Sequence, residues 1–325
     1  MKVFVCADVR LGALSTENLG VKLSHKWQEA RTKKLEELID QAAQAHASYI
    51  ALYGQMFGQE RVPESVIDSL FAAIHEDAHI RVLAFLMTEE YQRIAYRKDI
   101  PENLHLICLE KEEHDTDGNM ELSLKQGVTR LQPAGREAVQ VQIRSDADGH
   151  YVIEGIGAAH TIPSFEPVGF EDAQEIKCGY GIIEWKKEEK ASYAAVEAQM
   201  YAFQSTELRI QPEEDEREIL HQIRAAAARI DPDTFLRLTI TGRSAFGLTL
   251  NTDALKEQLQ NRIFYVEVYD NTIMDIDEEA FENDISLRGE FVRLALQDET
   301  LSESERNQLI SCGWNALDGK EVSAE

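Results

Sequence analysis

Hydrophobic residues in the first third of the chain form short apolar runs, separated by longer segments with helical spacing. The runs predict strands at residues 3–7, 49–53, 81–87 and 104–109. Apolar positions spaced three and four residues apart predict one helix over 27–47 and another that begins at Pro63. Strands that alternate with helices are typical of βαβ units, so we expect a parallel sheet with right-handed crossovers.

The pattern changes near residue 110, where the spacing of apolar positions drops to two. Strict alternation over 139–143 predicts a half-buried strand. Further short strands are predicted at 151–153, at 181–185 and in parts of 194–210. We therefore expect an antiparallel sheet packed beside the first sheet.

An acidic segment, "PEEDERE" at 212–218, separates these strands from a third pattern. The elements predicted after it are a helix over 213–229, a strand over 235–242, a helix over 253–260, a strand over 263–270 and helices over 286–297 and 302–316. This order indicates a small α/β domain with its own core. We place the two domains at 1–210 and 211–325.

Composition narrows the classes of partner and compartment. The 325 residues include 59 acidic and 33 basic ones, which gives a net charge of −26. Such a charge repels polyanions, so DNA binding would need a local basic groove and stays open. No apolar run approaches the roughly 20 residues that span a bilayer. The N-terminus lacks a signal-peptide pattern and the four cysteines form no Cys-x-x-Cys pair, so we expect a cytoplasmic protein.

Polar residues follow the first three predicted strands at the point where each strand ends. The first strand ends in Asp8-Val9-Arg10, the second in Gly54-Gln55-Met56-Phe57-Gly58 and the third in Met87-Thr88-Glu89. Because the carboxyl ends of parallel strands meet at one edge of a sheet, these residues define the expected ligand site.

Two later segments carry a resemblance to a known family. With the strand ends above, "SFEPVGFEDAQEIKCGYGIIEW" at 164–185 and "SLRGEFVRLAL" at 286–296 resemble the calcineurin-like metallophosphoesterases, and within them the SbcD/Mre11-type DNA repair exonucleases. The resemblance covers most of the chain, and residues 110–160 align poorly. It implies a four-layer β-sandwich flanked by helices with an α/β capping domain. It also implies a partner, an SMC-like ATPase, and a homodimer.

The chemistry of that family needs two divalent metal ions. The ions lie about 3.5–4 Å apart and hold the attacking water and the phosphate between them. Their repulsion is about 5 kcal/mol even in a water-like dielectric, so a bridging carboxylate and several imidazoles normally surround them. The family motifs that supply these ligands are Asp-x-His, Gly-Asp, Asn-His and Gly-His-x-His.

The sequence departs from these motifs at almost every ligand position. Asp8 is kept; the other positions hold Arg10 for the first histidine, Gln55 for the bridging aspartate, Gly58 for a later acid, Thr88-Glu89 for Asn-His, and His160 alone near the last motif. A guanidinium cannot be deprotonated and cannot bind a metal ion. Arg10 would instead pair with Asp8 or Glu89, which replaces metal with an ion pair.

We therefore expect a non-catalytic protein that acts as a structural or regulatory component of a DNA-processing complex and binds no metal. Its degenerate site would comprise Asp8, Arg10, Gln55, Thr88 and Glu89. The residues leave one alternative open: an active metal-dependent phosphoesterase or DNA exonuclease. In that case Mn²⁺ or another divalent ion would be held by Asp8, Gln55, Glu89 and His160.

Two other patterns compete with this interpretation. His75-Glu76-Asp77-Ala78-His79 matches the His-Glu-x-x-His pattern of zinc peptidases. That site needs one helix through both histidines, whereas the third strand should begin near Ile80, so we expect two helix-end histidines without zinc. On the C-terminal helices, Phe291, Leu294 and Leu296 are predicted core residues, with a partner-binding surface as the alternative.

Overall fold

The structure is a computed structural model that describes residues 1–317 apart from 59–61, 77–78, 118, 136–137, 176, 187–189, 249 and 299. The chain is mixed α/β and forms two compact units, Met1–Met200 and Tyr201–Glu325. The unit boundary lies ten residues before the one placed at 210/211, because the strand that ends at Ile210 belongs to the sheet of the second unit.

Unit 1 contains the first four helices and twelve strands among its described residues. The strands are β1 (Lys2–Ala7), β2 (Tyr49–Tyr53), β3 (Arg81–Leu86), β4 (Leu104–Cys108), β5 (Glu113–Thr116), β6 (Met120–Lys125), β7 (Val128–Pro133), β8 (Val141–Ser145), β9 (Tyr151–Glu154), β10 (His160–Thr161), β11 (Gly179–Trp185) and β12 (Ala191–Glu197). The helices are α1 (Gly20–Gln44), α2 (Glu64–Glu76), α3 (Thr88–Ala95) and α4 (Phe170–Glu175).

The first sheet has the strand order β12-β11-β1-β2-β3-β4. Strands β1 to β4 are parallel, as predicted, and β11 and β12 extend the sheet in antiparallel orientation. The assignment of 181–185 and of parts of 194–210 to the second sheet was wrong, because these strands belong to the first sheet and to the sheet of unit 2. Phe4 lies opposite Ile182, so β11 pairs with the first strand of the chain although about 175 residues separate them.

Both faces of the first sheet are buried, and successive residues of β1 alternate between them. Phe4 and Cys6 pack with α1 and α2 on one face. Val3 and Val5 pack on the other face against the second sheet. A strand that is buried on both sides reads as a continuous apolar run, which is the pattern seen at residues 3–7.

The second sheet is antiparallel, with the strand order β10-β9-β8-β7-β6-β5. Its inner face contributes Leu122, Val141 and Ile143 to the core shared with the first sheet. Its outer face carries polar residues such as Arg130 and Gln142. The expected four-layer sandwich needs a helix layer on each sheet. Among the described helices of unit 1, α1 and α3 pack on strands of the first sheet.

Two helices of unit 1 differ from the prediction. Helix α1 extends from Gly20 to Gln44, whereas 27–47 was predicted. It therefore begins seven residues earlier and ends three residues earlier than expected. Helix α3 was missed entirely. Thr88-Glu89-Glu90 places acidic residues in the first turn, which favours a helix start. Of these residues, Thr88 and Glu89 were assigned to the candidate site at the end of the third strand.

Unit 2 begins with three strands joined by helices. Its elements are β13 (Ala202–Ile210), α5 (Glu216–Ala227), β14 (Thr234–Ser244), α6 (Thr252–Gln260), β15 (Tyr265–Asp270), β16 (Ile273–Met274), α7 (Glu278–Glu282), α8 (Leu287–Gln297) and α9 (Glu303–Leu317). Strands β13, β14 and β15 are parallel neighbours in that order, and β16 pairs with the end of β14. One apolar cluster, which includes Ile219, Leu236 and Leu255, lies between this sheet and its two crossover helices.

None of the described helices is both long enough and apolar enough to cross a membrane. The longest of them, α1, has only one side buried, and that side includes Trp27, Leu35 and Leu38. Three of the four cysteines are buried, Cys6, Cys108 and Cys178, and Cys312 is exposed.

We expect Asp215→Ala to lower the free energy of unfolding by about 1 kcal/mol, the usual cost of losing a helix N-cap. The Asp215 carboxylate accepts a hydrogen bond from the Glu218 backbone N–H at 2.9 Å, and Glu218 Oε2 accepts one from the Asp215 N–H at 3.1 Å. Urea denaturation of the full chain measures the loss. Glu213→Ala removes the same charge two residues away from the cap, and an equal loss there would contradict the prediction.

Candidate functional site

The loops after β1, β2 and β3 are held together by backbone hydrogen bonds. The Asp8 N–H donates to the Tyr53 carbonyl at 2.8 Å, and the Gly54 N–H donates to the Phe85 carbonyl at 3.0 Å. In the loops themselves, the Arg10 N–H donates to the Gln55 carbonyl at 3.0 Å. The site is therefore built at the carboxyl edge of the parallel strands, where α/β proteins bind ligands.

The backbone of the first loop is strained at two positions. Asp8 and Arg10 both have a φ of 48°, which non-glycine residues seldom adopt. This conformation brings the Asp8 Oδ1 atom within 3.0 Å of the Gln55 N–H, which donates to it. Gly54 makes the approach feasible, because its φ is +82° and a Cβ there would overlap the Asp8 carboxylate.

Glu90, a buried carboxylate that the sequence interpretation overlooked, fixes the second loop. Its two oxygens accept hydrogen bonds from the backbone N–H groups of Met56 at 2.8 Å and Phe57 at 3.0 Å. The neighbouring Glu89, which was assigned to the candidate site, is exposed to solvent. The sequence could have revealed this difference if residues 88–95 had been predicted as a helix. Adjacent residues of a helix point in different directions, so only one of two neighbouring glutamates can face the loop.

Arg10 forms ion pairs with two carboxylates. Its Nη2 atom lies 3.8 Å from Asp8 Oδ2, and its Nη1 atom lies 3.3 Å from Asp172 Oδ2. The predicted pairing with Asp8 is confirmed, whereas the shorter contact goes to Asp172 on α4, which the sequence did not single out. Gly58 packs against the Arg10 side chain, because a Cβ there would lie 3.0 Å from Arg10 Cβ. Gly58 thus leaves room for the first carbons of the Arg10 side chain.

A second arginine, Arg31 of α1, is completely buried beneath the loop. Its guanidinium donates to the carbonyls of Val9 at 2.9 Å, Arg10 at 3.2 Å and Pro167 at 3.2 Å. Burial lowers the pKa of Arg31 to about 10, and Glu166 opposes that shift. Arg31 remains charged at neutral pH and joins the loop after β1 to the segment before α4.

Lys34 and Glu166 form a buried ion pair next to Arg31. The Lys34 ammonium donates to Glu166 Oε1 and to the carbonyls of Phe165 and Ala198. Glu166 Oε1 also accepts a hydrogen bond from the Met200 N–H at 2.6 Å. The pair therefore fixes residues 198–200, the last residues of unit 1.

A cavity of about 430 Å³ lies beside the loops, at the carboxyl ends of β2, β3 and β4. Its lining comprises Gln55, Gly58, Met87, Thr88, Glu89, Glu90, Arg93 and Glu110. Thr88 Oγ1 donates to Glu110 Oε2 at 2.6 Å, which engages both groups. Three of the five predicted site residues thus line one cavity, and Asp8 and Arg10 are outside this lining.

The residues assigned to the alternative metal site do not form a cluster. The ligand atoms of Asp8, Glu89 and His160 do not lie within 4.8 Å of one another, a statement that covers the described residues. His160 is on β10, where its ring centroid lies 5.1 Å from that of Tyr193. Gln55 remains near Asp8 through its backbone N–H.

A different set of possible ligands meets in the turn between β8 and β9. Asp146, Asp148 and His150 bring their ligand atoms within 4.8 Å of one another. The Asp146 Oδ1 atom accepts hydrogen bonds from the backbone N–H groups of Asp148 at 3.0 Å and His150 at 2.9 Å. These bonds account for the geometry as an ordinary turn, in which one aspartate organises the backbone that follows it.

The two histidines of the His-Glu-x-x-His pattern line a cavity of about 740 Å³ with Arg81 and Asp99. Helix α2 ends at Glu76, and His79, which was expected at the helix end, lies outside the helix. Residues 77–78 of the pattern lie outside the described residues. A zinc peptidase helix would have to include both histidines.

We expect Lys34→Met to lower the free energy of unfolding by about 3–5 kcal/mol, the usual cost of leaving a buried charge without its partner. The double variant Lys34→Met/Glu166→Gln should lose less than the single variant, because no charge is then stranded. Urea denaturation of the full chain measures both. Lys33→Met changes the adjacent lysine, which is exposed and pairs loosely with Glu37 at 3.7 Å. The role of the pair would be contradicted if Lys33→Met lowered the free energy of unfolding as much as Lys34→Met. It would also be contradicted if the double variant were less stable than Lys34→Met alone.

Glu166 should also make stability depend on pH. Burial raises the pKa of Glu166 above its ordinary value of 4.5, against the opposing effect of Lys34. Between those two pKa values the native state binds more protons than the unfolded state, so the contribution of Glu166 to stability falls as the pH rises above 4.5. The stability of the wild-type chain minus that of Glu166→Gln should therefore be smaller at pH 7 than at pH 4.5.

The measurement is urea denaturation of both chains across this pH range. Glu29→Gln, an exposed position on α1, is the matched control and should show no such trend. A stability difference for Glu166→Gln that stays constant or grows with pH would refute the assignment.

Known proteins give no direct guide to this site. Comparison with protein-family models finds no match for the chain, and comparison with curated proteins finds none either. At the carboxyl edge of the first sheet, Arg10 is paired with two carboxylates, and Asp8, Glu89 and His160 form no group of ligand atoms within 4.8 Å of one another.

Proposed function

We propose that this chain is a degenerate relative of the calcineurin-like metallophosphoesterases, of the SbcD/Mre11 type, that performs no catalysis. The observation that carries the proposal is the Arg10 guanidinium between Asp8 and Asp172, at 3.8 and 3.3 Å. A fixed positive charge in contact with the only retained acid of the first motif repels divalent ions. It also occupies one of the Asp8 oxygens that a metal would need.

The charge balance of the remaining groups supports the same conclusion. Two divalent ions bring four positive charges, and the Arg10 side chain adds a fifth. The Gln55 amide, at the position of the bridging aspartate, offers an oxygen without charge. The nearby Glu90 carboxylate is committed to two backbone N–H groups, and Glu110 accepts a hydrogen bond from Thr88. The hydrogen bonds that already engage these carboxylates leave fewer oxygen lone pairs to bind a pair of ions.

The finer fold assignment belongs to this proposal. Unit 1 would be a metallophosphoesterase-type sandwich, and unit 2 would be the capping domain. Support comes from two stacked sheets with a mixed first sheet, and from a separate α/β unit after residue 200. On this view the fold has been kept as a scaffold, and its role is structural or regulatory within a DNA-processing assembly.

The proposed partner is an SMC-like ATPase that contacts the helices of unit 2. Ile285, Leu287 and Leu294 are exposed by 99%, 73% and 61%, and they lie on α8 or immediately before it. Large apolar side chains grouped on one helix are typical of a binding surface. Phe291 and Leu296 pack against the core of these helices, as predicted, whereas the prediction of a core position was wrong for Leu294, which is exposed.

The test is manganese binding to the purified full chain, measured by elemental analysis after dialysis against Mn²⁺, together with cleavage of a phosphodiester substrate. We expect no stoichiometric manganese and no cleavage that depends on Asp8. Replacing Arg10 with histidine and Gln55 with aspartate should increase manganese uptake, because one positive charge is removed and one carboxylate is added.

The matched control is Arg10→Lys, which keeps the positive charge and should bind no more manganese than the wild-type chain. Two manganese ions per wild-type chain, with cleavage abolished by Asp8→Ala, would overturn the proposal. That result would favour the active phosphoesterase alternative.

A further inference from the structure

Unit 2 contains a cavity of about 340 Å³ at the carboxyl ends of its parallel strands. Ser244, the last residue of β14, and Asp270, the last residue of β15, both line it. Helix α9 forms the facing wall through Asn307 and Ser311, which lie on the same side of the helix. Open α/β sheets bind ligands at this edge, and the volume is within the range of about 300–1,000 Å³ typical of ligand pockets.

The wall is rich in uncharged hydrogen-bonding groups. Amides and hydroxyls outnumber charged groups, and Asp270 is the one charged residue among the described lining. The side chains of Asn271, Asn307 and Gln308 form no hydrogen bond within the part of the chain that the structure describes. Their donors and acceptors are therefore available to a ligand or to water.

Asp270 is held in a fixed orientation before any ligand arrives. Its Oδ1 atom accepts hydrogen bonds from the Thr272 N–H at 3.0 Å and from the Thr272 hydroxyl at 2.7 Å. The facing helix is fixed as well, because Ile310 is completely buried in the core beneath it. A preorganised acceptor opposite available amides reduces the entropy lost when a ligand binds.

The composition of the wall selects the class of ligand. An anion would be repelled by Asp270 in a chain of net charge −26. A metal ion would find a single carboxylate, and its ligand atoms form no group of three with other acids, histidines or cysteines among the described residues. An uncharged ligand with several hydroxyls fits the amides and hydroxyls that make up most of the wall, since each hydroxyl both donates and accepts and so matches carboxylates and amides alike.

We propose that this cavity is a binding site for a small uncharged polyol of the size of one sugar ring. Asp270 accepts hydrogen bonds from its hydroxyls, and Asn271 and Asn307 supply complementary donors and acceptors. Leu248 and Met274 provide an apolar surface for the C–H face of the ring. The site is in unit 2 and is independent of the chemistry proposed for unit 1.

Isothermal titration calorimetry of the full chain with D-glucose, D-galactose, D-ribose and myo-inositol tests the proposal. At least one of these probes should bind with a dissociation constant of about 1 mM or tighter. Asn307→Ala and Asp270→Asn should each weaken that binding by at least about tenfold. Asp253→Asn, which makes the same chemical change at an exposed position on α6, should leave it unchanged.

Circular dichroism of each variant separates a lost site from a lost fold, and Asn307→Ala removes no hydrogen bond within the described residues. The proposal is overturned if none of the four polyols binds. It is also overturned if their binding is unaffected by both cavity variants, or if acetate or spermidine binds more tightly than every polyol.

Discussion

The candidate site of this protein depends on the hydrogen bonds that the buried Arg31 side chain donates to backbone carbonyls. One guanidinium, buried under the sheet edge, bonds to carbonyl groups from two segments that are about 155 residues apart in the chain. Carbonyls that point into an apolar interior must be paired, because each unpaired one costs about 1–3 kcal/mol. Arg31 satisfies several at once, and in doing so it fixes the strained loop that carries Asp8 and Arg10.

The same principle explains why the site tolerates so much buried charge. Lys34 and Glu166 lie beside Arg31, and each of these three groups bonds to a carbonyl, an N–H group or an opposite charge, although Glu166 Oε2 has no hydrogen-bond partner in the described part of the chain. Arg10 extends the arrangement to the surface through Asp172 and Asp8. At this edge of the sheet, a catalyst would present unpaired ligands to a metal ion. Here most of the charged groups bond to other groups of the chain.

The paired groups at the edge of the sheet are the physical basis of the proposed structural role. Catalysis by two metals requires a site whose negative charge is left unsatisfied until the ions bind. In this chain the loops after the strands are closed by Glu90, by Arg10 and by backbone hydrogen bonds between neighbouring strand ends. On the proposed function, hydrogen bonds and ion pairs occupy the edge of the sheet where a metal site would need free ligands.

The sequence by itself determined the local elements. The apolar runs of β1 to β4 and the caps of the later helices are encoded within a few residues, and so is the Asp8-Val9-Arg10 ending of the first strand. Tertiary structure alone decided which strands pair, because β11 joins β1 across most of the chain and no local pattern encodes that choice. It also decided that Glu90 is buried while Glu89 is exposed, and that Asp172 is the nearer partner of Arg10. Ion pairs and buried hydrogen bonds depend on distances between segments remote in sequence, and those distances exist only after the chain has folded.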